Sequence, residues 1–373
     1  MDVGEIIRRA GRRFGPLPAL ISEDRTVTFT EFDEATDRLG NMLLAQGLRL
    51  GDRVGVLYPN GIEGLVAFYA LAKAGLIRVP LNPRERPVDH AYKLADTGAR
   101  AVVGEKASDF NVGTVTTVFD AEELSPRLWH GPVEPCHVFR PAHVPYRLGF
   151  TGGTTGRPKA VTLMNRNENA EIANFLLDLL PDVRTGDRML HAAPVVHASG
   201  AFFLPHYLRG ATNIIMTRFD PGRFLEELER QSPTATFLVP TMIAMVLEEP
   251  GVYEVKAESL RRLCYGASPI APAVVERAVD AFGPRLAQTY GQAEAPMTIT
   301  ACSPTSTTGS APPGGRTRWS RCGWSTRTGG ASTWGSRVRS SPGASTSSPG
   351  TGTARPRRPT RSATAGSTPA TSA

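Results

Sequence analysis

The sequence predicts an α/β fold built on a largely parallel sheet, and two features carry that expectation. Through the N-terminal third, short apolar runs rich in β-branched residues alternate with longer stretches of helical spacing. A glycine-dense segment, Phe150-Thr151-Gly152-Gly153-Thr154-Thr155-Gly156-Arg157-Pro158-Lys159, then follows the apolar pair Leu148 and Gly149. The 373 residues allow two or three domains on length alone.

The elements follow in order. Thr26–Phe29 is a short β run, and a helical pattern runs on through Leu39, Met42, Leu43 and Leu44 to Gly47, with Thr30 as its expected N-cap and Asp33 three residues on. Arg53–Tyr58 reads as a buried strand stopped by Pro59-Asn60-Gly61. Ile62–Ala74 has helical spacing and ends at Gly75. Ile77–Leu81 is a strand, Val88–Asp96 a helix and Ala101–Val103 a strand. Residues 105–145 are polar and proline-rich, and are expected to cross the surface as a connection. Further on, a helix contains Phe175–Leu180, Phe237–Met242 is a strand entering a helix, and Leu263–Ile270 is a strand entering a glycine turn.

The segment from Thr151 to Lys159 reads as a cradle for polyphosphate. Glycines let backbone N–H groups approach an anion closely, threonine hydroxyls add donors, and Lys159 supplies a point charge. It is not the common P-loop: Arg157 and Pro158 separate Gly156 from the lysine, and Ala160 follows it. Three later segments are weaker alone. His197, in His191-Ala192-Ala193-Pro194-Val195-Val196-His197, reads by itself as a capping or core histidine. Gly266-Ala267-Ser268 reads as a simple strand-to-helix turn; it is not a nucleophile elbow, because Ile270 stands where a second glycine is required. Gln288-Thr289-Tyr290-Gly291-Gln292-Ala293-Glu294 offers a stacking face, close backbone access and a carboxylate suited to a hard cation.

Taken together and in this order, these segments resemble the signatures of the AMP-forming adenylating superfamily: acyl-CoA synthetases, luciferases and peptide-synthetase adenylation domains. The resemblance covers about residues 15–300 and is strongest to bacterial fatty-acyl-CoA ligases. It departs from the usual pattern at Gly152 (usually Ser), Ala160 (usually Gly) and Ala293 (usually Thr). It implies the large N-terminal domain of that fold, with stacked αβ subdomains. It also implies ATP-dependent conversion of a carboxylic acid, expected to be fatty, to acyl-AMP and then acyl-CoA, with ATP, Mg²⁺ and coenzyme A required. An acyl-AMP ligase that feeds a carrier protein and a non-catalytic nucleotide-binding remnant are the alternatives. On this resemblance Thr151, Gly152, Gly153, Thr154, Thr155, Gly156 and Lys159 hold the phosphates, and Gly266, Ala267, Ser268, Thr289, Tyr290, Gly291 and Gln292 hold the adenosine. Glu294, with Thr151, serves the metal. Pro194 and His197 match a Pro-x-x-His pattern that gives His197 a gating or carboxylate-orienting role.

The net charge of +7 would suggest nucleic acid, but it comes from one end. Residues 301–373 hold ten arginines and no lysine, aspartate or glutamate, which leaves 32 basic against 35 acidic residues in 1–300. From Ser303 onward there is no Leu, Ile, Met, Phe, Tyr, His, Asn or Gln, and Val338 is the only valine. Such a composition cannot offset chain entropy by burial, so 303–373 is expected to be disordered, against a globular domain over 1–302. We read it as translation in a shifted frame. GC-rich codons for Thr364–Thr371, read one base earlier, can spell Asp-Gly-Trp-Leu-His-Thr-Gly-Asp. The same displacement turns Gly309–Thr317 into Leu-Gly-Ser-Ala-Gly-Arg-Pro-Tyr and Cys322–Gly330 into Arg-Val-Val-Asp-Glu-Asp-Gly-Arg. All three strings have the superfamily's look and order, which places the shift between about Ser303 and Gly309 and implies loss of the mobile C-terminal domain. The four cysteines form neither a metal pattern nor a disulfide framework, the longest apolar run is too short for a membrane span, and there is no secretory signal. A cytoplasmic protein with small-molecule partners and no nucleic acid is expected.

Overall fold

In the computed structural model the described residues are 2–23, 25–107, 112–151 and 157–302, with the backbone of Gly323–Trp324. The chain opens with a helix the sequence reading passed over, α1 (Val3–Phe14). Asp2 caps it by accepting from the Glu5 N–H, and Val3, Ile6, Ile7, Ala10 and Phe14 are buried at helical spacing. Strands β1 (Pro18–Ser22) and β2 (Arg25–Thr28) follow as an antiparallel pair. Helix α2 (Phe29–Ala45) has its cap two residues before the expected one. Thr28 and Glu31 form a reciprocal capping box there, so Thr28, not Thr30, closes the N-terminus.

The predicted alternation then holds closely: β3 (Arg53–Leu57), α3 (Ile62–Lys73), β4 (Ile77–Leu81), α4 (Pro87–Thr97) and β5 (Ala101–Gly104). The expected surface connection over 105–145 is wrong in part, since it contains β6 (Thr117–Asp120) and α5 (Ala121–Trp129). Strands β7 (Pro145–Thr151) and β8 (Lys159–Met164) form a hairpin around the glycine-dense segment. Then come α6 (Asn165–Asn174), a π-helical turn over Phe175–Leu179 and β9 (Arg188–His191). A 3₁₀ turn over Ala198–Phe202 leads into α7 (Phe203–Leu208). The rest is β10 (Thr212–Ile215), α8 (Pro221–Gln231), β11 (Ala235–Leu238), α9 (Pro240–Val246), β12 (Arg262–Gly266), α10 (Pro272–Phe282), β13 (Leu286–Gln292), β14 (Ala295–Cys302) and β15 (Gly323–Trp324).

Two sheets result. One has nine strands in the order β15-β14-β13-β12-β11-β9-β10-β1-β2, parallel from β13 to β1 and antiparallel at its edges. The other has six, β6-β5-β3-β4-β7-β8, parallel except for β8. Helix α3 is buried almost all round, as a helix enclosed by other elements must be. Its last residue, Lys73, is fully buried and bonds Asp33 and, at 2.7 Å, Asp37 on α2. Cys136 and Cys264 are free and buried. Cys302 is disulfide-bonded.

Candidate active site

Three strand ends and one loop of the two sheets open onto a single cavity of about 340 Å³. The loop carries His197. His197 N–H donates to Pro194 O at 3.1 Å and Gly200 N–H to His197 O at 3.0 Å, winding the chain tightly. Only glycine fits at position 200, because a Cβ there would lie 2.0 Å from Val195 O. Asn60 grips the loop from the far side, accepting from Val195 N–H at 2.8 Å and donating to Met216 O at 2.7 Å.

The imidazole itself is aimed by Asn82, whose Nδ2 lies 2.9 Å from His197 Nε2. An amide nitrogen only donates, so Nε2 accepts and the proton of the neutral ring sits on Nδ1. His197 keeps accessible surface, yet that surface faces the cleft, and the loss of bulk water pulls its pKa below the usual histidine value. Asn82 is held in turn by His90, whose Nε2 lies 2.8 Å from Asn82 O. Glu85 and Lys93 pair beside it at 2.6 Å, with the Lys93 ammonium 4.8 Å from the Phe150 ring centre. Nothing in the spacing tells that Asn82, 115 positions from His197, orients its ring.

The two segments expected to hold adenosine arrive from β12 and β13, neighbours in the nine-stranded sheet. Gly266 pairs with Thr289, and a Cβ on Gly266 would fall 2.2 Å from Thr289 O. Ala267 follows with φ +71°, a conformation that L-residues rarely adopt and that marks a constrained turn. Thr289 is buried, its hydroxyl 3.4 Å from Tyr265 O, while Tyr290 stands exposed and Ser268 is likewise open. Ala267, Gly291 and Gln292 line the cavity together with His197. A Cβ on Gly149 would lie 3.7 Å from the Ala293 Cβ, so the β7 strand end borders the turn that carries Glu294.

Gly152, Gly153, Thr154, Thr155 and Gly156 lie outside the described residues. Their flanks are placed: Thr151 and Lys159 face each other as the last pair of the β7–β8 register, and Lys159 is exposed. The Arg157 guanidinium sits 5.1 Å from the Tyr92 ring centre, and Tyr92 donates to Pro158 O at 3.3 Å. Glu294 is exposed in the β13–β14 turn, and neither it nor Thr151 lines the cavity. Among the described residues no three His, Cys, Asp or Glu side chains gather to hold a metal. A lone open carboxylate fits a magnesium ion that arrives with nucleotide and takes most of its ligands from phosphate and water; it does not fit a resident protein cage.

A family model described as AMP-binding enzyme matches residues 7–329. The chain belongs to that family. It is 32% identical over 320 residues to the medium/long-chain-fatty-acid–CoA ligase FadD8 of Mycobacterium tuberculosis, covering 80% of this chain and 55% of that protein. It is 33% identical over 302 residues to a feruloyl-CoA synthase of Amycolatopsis sp., covering 78% and 58%. It therefore spans little more than half the length of these curated relatives. Among solved structures, the inhibitor-bound N-terminal domain of FACL13 from Mycobacterium tuberculosis superposes with a TM-score of 0.76 at 25% identity, covering 81% of this chain and 78% of that one. The o-succinylbenzoate coenzyme A synthetase of Bacillus subtilis in complex with AMP gives 0.71 at 27%, covering 80% and 76%. The stacked α/β architecture expected of the family's N-terminal domain is thus the one observed. No helix among the described residues is long and apolar enough to cross a membrane.

Proposed function

We propose that this chain carries the nucleotide- and acid-binding part of an AMP-forming acid–thiol ligase. The convergence of His197, Ala267 and Gly291–Ala293 on one cavity, bordered by the β7 strand end, is the observation that carries this reading. In the first half-reaction an oxygen of the substrate carboxylate bonds to the α-phosphorus of ATP as the bond to pyrophosphate breaks, leaving acyl-AMP. Charge develops on the departing pyrophosphate, so fixed donors and cations supply most of the acceleration. Thr151 and Lys159, with the segment between them, would take that end, and Glu294 would hold the Mg²⁺ that enters with ATP. Gly266–Ser268 and Thr289–Gln292 would seat the adenosine. Neutral His197, fixed by Asn82, would direct its Nδ1–H toward the carboxylate. A thiol, that of coenzyme A, would then attack the acyl carbon and release AMP. A fatty acid is the acid first suggested by the FadD8 likeness; the feruloyl-CoA synthase relative gives an aryl acid equal standing, and transfer to a carrier protein belongs to the same chemistry.

A second reading, a domain that binds adenylate without completing turnover, is favoured by the composition of 303–373. We propose that this stretch is out-of-frame translation and that the frame one base earlier encodes the missing Thr-Gly-Asp segment. Carboxylate-dependent ATP–pyrophosphate exchange tests the ligase reading on the chain with its frame restored: Lys159→Ala and Thr151→Ala are expected to lower exchange by about a hundredfold, the scale for losing one preorganised donor. Wild-type exchange in both variants would remove the phosphate assignment.

A further inference from the structure

The floor of the cavity is charged, and its charges are unevenly paired. Arg78 on β4 and Arg147 on β7 are register partners on adjacent parallel strands, so both side chains leave the same face of the six-stranded sheet. Both line the cavity, with Glu168 and Glu171 of α6. Arg147 takes both carboxylates: its Nε lies 3.1 Å from Glu168 Oε2 and its Nη2 3.2 Å from Glu171 Oε2. Arg78 takes neither. Among the described residues it has no carboxylate partner; its guanidinium lies 4.0 Å from the Phe68 ring centre, and its Nε is buried without an acceptor. Glu171 is buried as well, with Oε1 unpartnered.

Burial, with Glu168 beside it, pushes the Glu171 carboxyl well above the usual carboxylate range. An arginine stays protonated at any physiological pH, and a half-buried guanidinium with a buried, unpartnered Nε is costly. Apolar side chains, among them Leu65, Phe68, Val195, Ala198 and Met297, share the lining with the polar Asn82, Glu85 and Lys93. A straight alkyl tail in this cavity would offer that guanidinium no partner.

We infer that the acid activated here carries a second oxygen-bearing group, best a second carboxylate, at the end remote from the one that is adenylated, and that Arg78 receives it. The apolar part of the lining accommodates the carbon spacer between the two ends. This rests on the ligase reading above, because it takes the activated carboxylate to lie near His197. It makes Arg78 a specificity-determining residue.

The test needs no turnover. Acyl-sulfamoyl adenosines, stable mimics of acyl-AMP, are prepared in matched pairs with spacers of about four, six and eight carbons, one member ending in methyl and the other in carboxylate. Binding to the full chain is measured by calorimetry. The carboxylate member of at least one pair is expected to bind about tenfold or more tightly than its methyl twin, the scale of one bidentate charge-assisted contact. Arg78→Met is expected to shrink that preference to about threefold or less, and Arg78→Lys, which keeps the charge but not the fork, to leave an intermediate one. AMP binding by each variant reports that it has folded. Methyl members that bind as tightly as their twins in every pair, or a preference that survives Arg78→Met, would overturn the inference while leaving the adenylate site standing. Binding of AMP but of no acyl analogue would overturn the inference as well, and binding of neither would overturn the ligase reading beneath it.

Discussion

Lowering the pH from 8 to 5 is expected to strip about 4 kcal/mol from the folded chain through two histidines on either side of the His197 loop. Burial penalises the imidazolium of His191 and of His206 and pulls each pKa down to about 4. At His206 the geometry adds to burial, whereas at His191, where both partners can accept, burial alone opposes the proton. His206 Nδ1 donates to Phe202 O at 2.7 Å, while its Nε2 is buried with nothing to receive a second N–H. His191 is engaged at both nitrogens, with Ser199 Oγ at 2.8 Å and Asn213 Oδ1 at 2.9 Å. In the unfolded chain both rings titrate near the ordinary value of about 6.5. Below that pH the unfolded state binds more protons than the folded one, so stability is complete above it and falls as pH drops toward 4. At pH 5 each ring lies about 1.5 units below its unfolded pKa, worth about 2 kcal/mol at about 1.4 kcal/mol per unit. Against a total of about 5–15 kcal/mol for an ordinary domain, the pair decides whether the chain survives mild acid. Urea unfolding followed by tryptophan fluorescence at the two pH values measures the loss, and His206→Gln is expected to remove about half of it. A loss undiminished in the variant would refute the reasoning.

Three further outcomes are expected. Lys73→Met strands Asp33 and Asp37 without their cation and should cost about 3–5 kcal/mol in urea unfolding; adding Asp33→Asn and Asp37→Asn should recover most of it. Gly266→Ala drives a Cβ to within 2.2 Å of Thr289 O, forcing β12 and β13 apart, and should weaken AMP binding by calorimetry by about tenfold or more. Glu294→Gln should raise the Mg²⁺ concentration needed for half-maximal pyrophosphate exchange without moving the thermal transition, since only an exposed charge is lost; an unmoved Mg²⁺ curve would deny it the metal.

Where local chemistry dictates local structure, the sequence was legible. Ile77–Leu81 was read residue for residue, and Ile62 and Gly75 bracketed α3, because a buried strand and a glycine-stopped helix announce themselves within a few positions. The α2 cap was misplaced by two residues because Thr28 and Thr30 are equally good hydroxyl caps, and only the reciprocal reach of Glu31 selects Thr28. Helix α1 had a readable apolar spacing, Val3, Ile6, Ile7, Ala10 and Phe14, obscured by four arginines on its other face. Of the site, the glycine turns and His197 could be named from motifs. The pairing of Arg78 with Arg147 could not, since strand register between residues so far apart is set by the assembled sheet and leaves no local trace.

The place of β1 bears on how the chain is made. It lies at the N-terminus, yet its parallel neighbour is β10, and Ser22 donates to Ile215 O across 193 residues of sequence. The six-stranded sheet, β3 to β8, can be complete long before β10 leaves the ribosome. At about 5–20 residues per second, β1 waits about 10–40 s for its partner. During that time one edge of the strand and part of the apolar face of α1 stay open, a ready template for another nascent copy. Synthesis speed and chaperone supply, rather than the stability of the finished fold, would therefore govern how much of this protein reaches its native state.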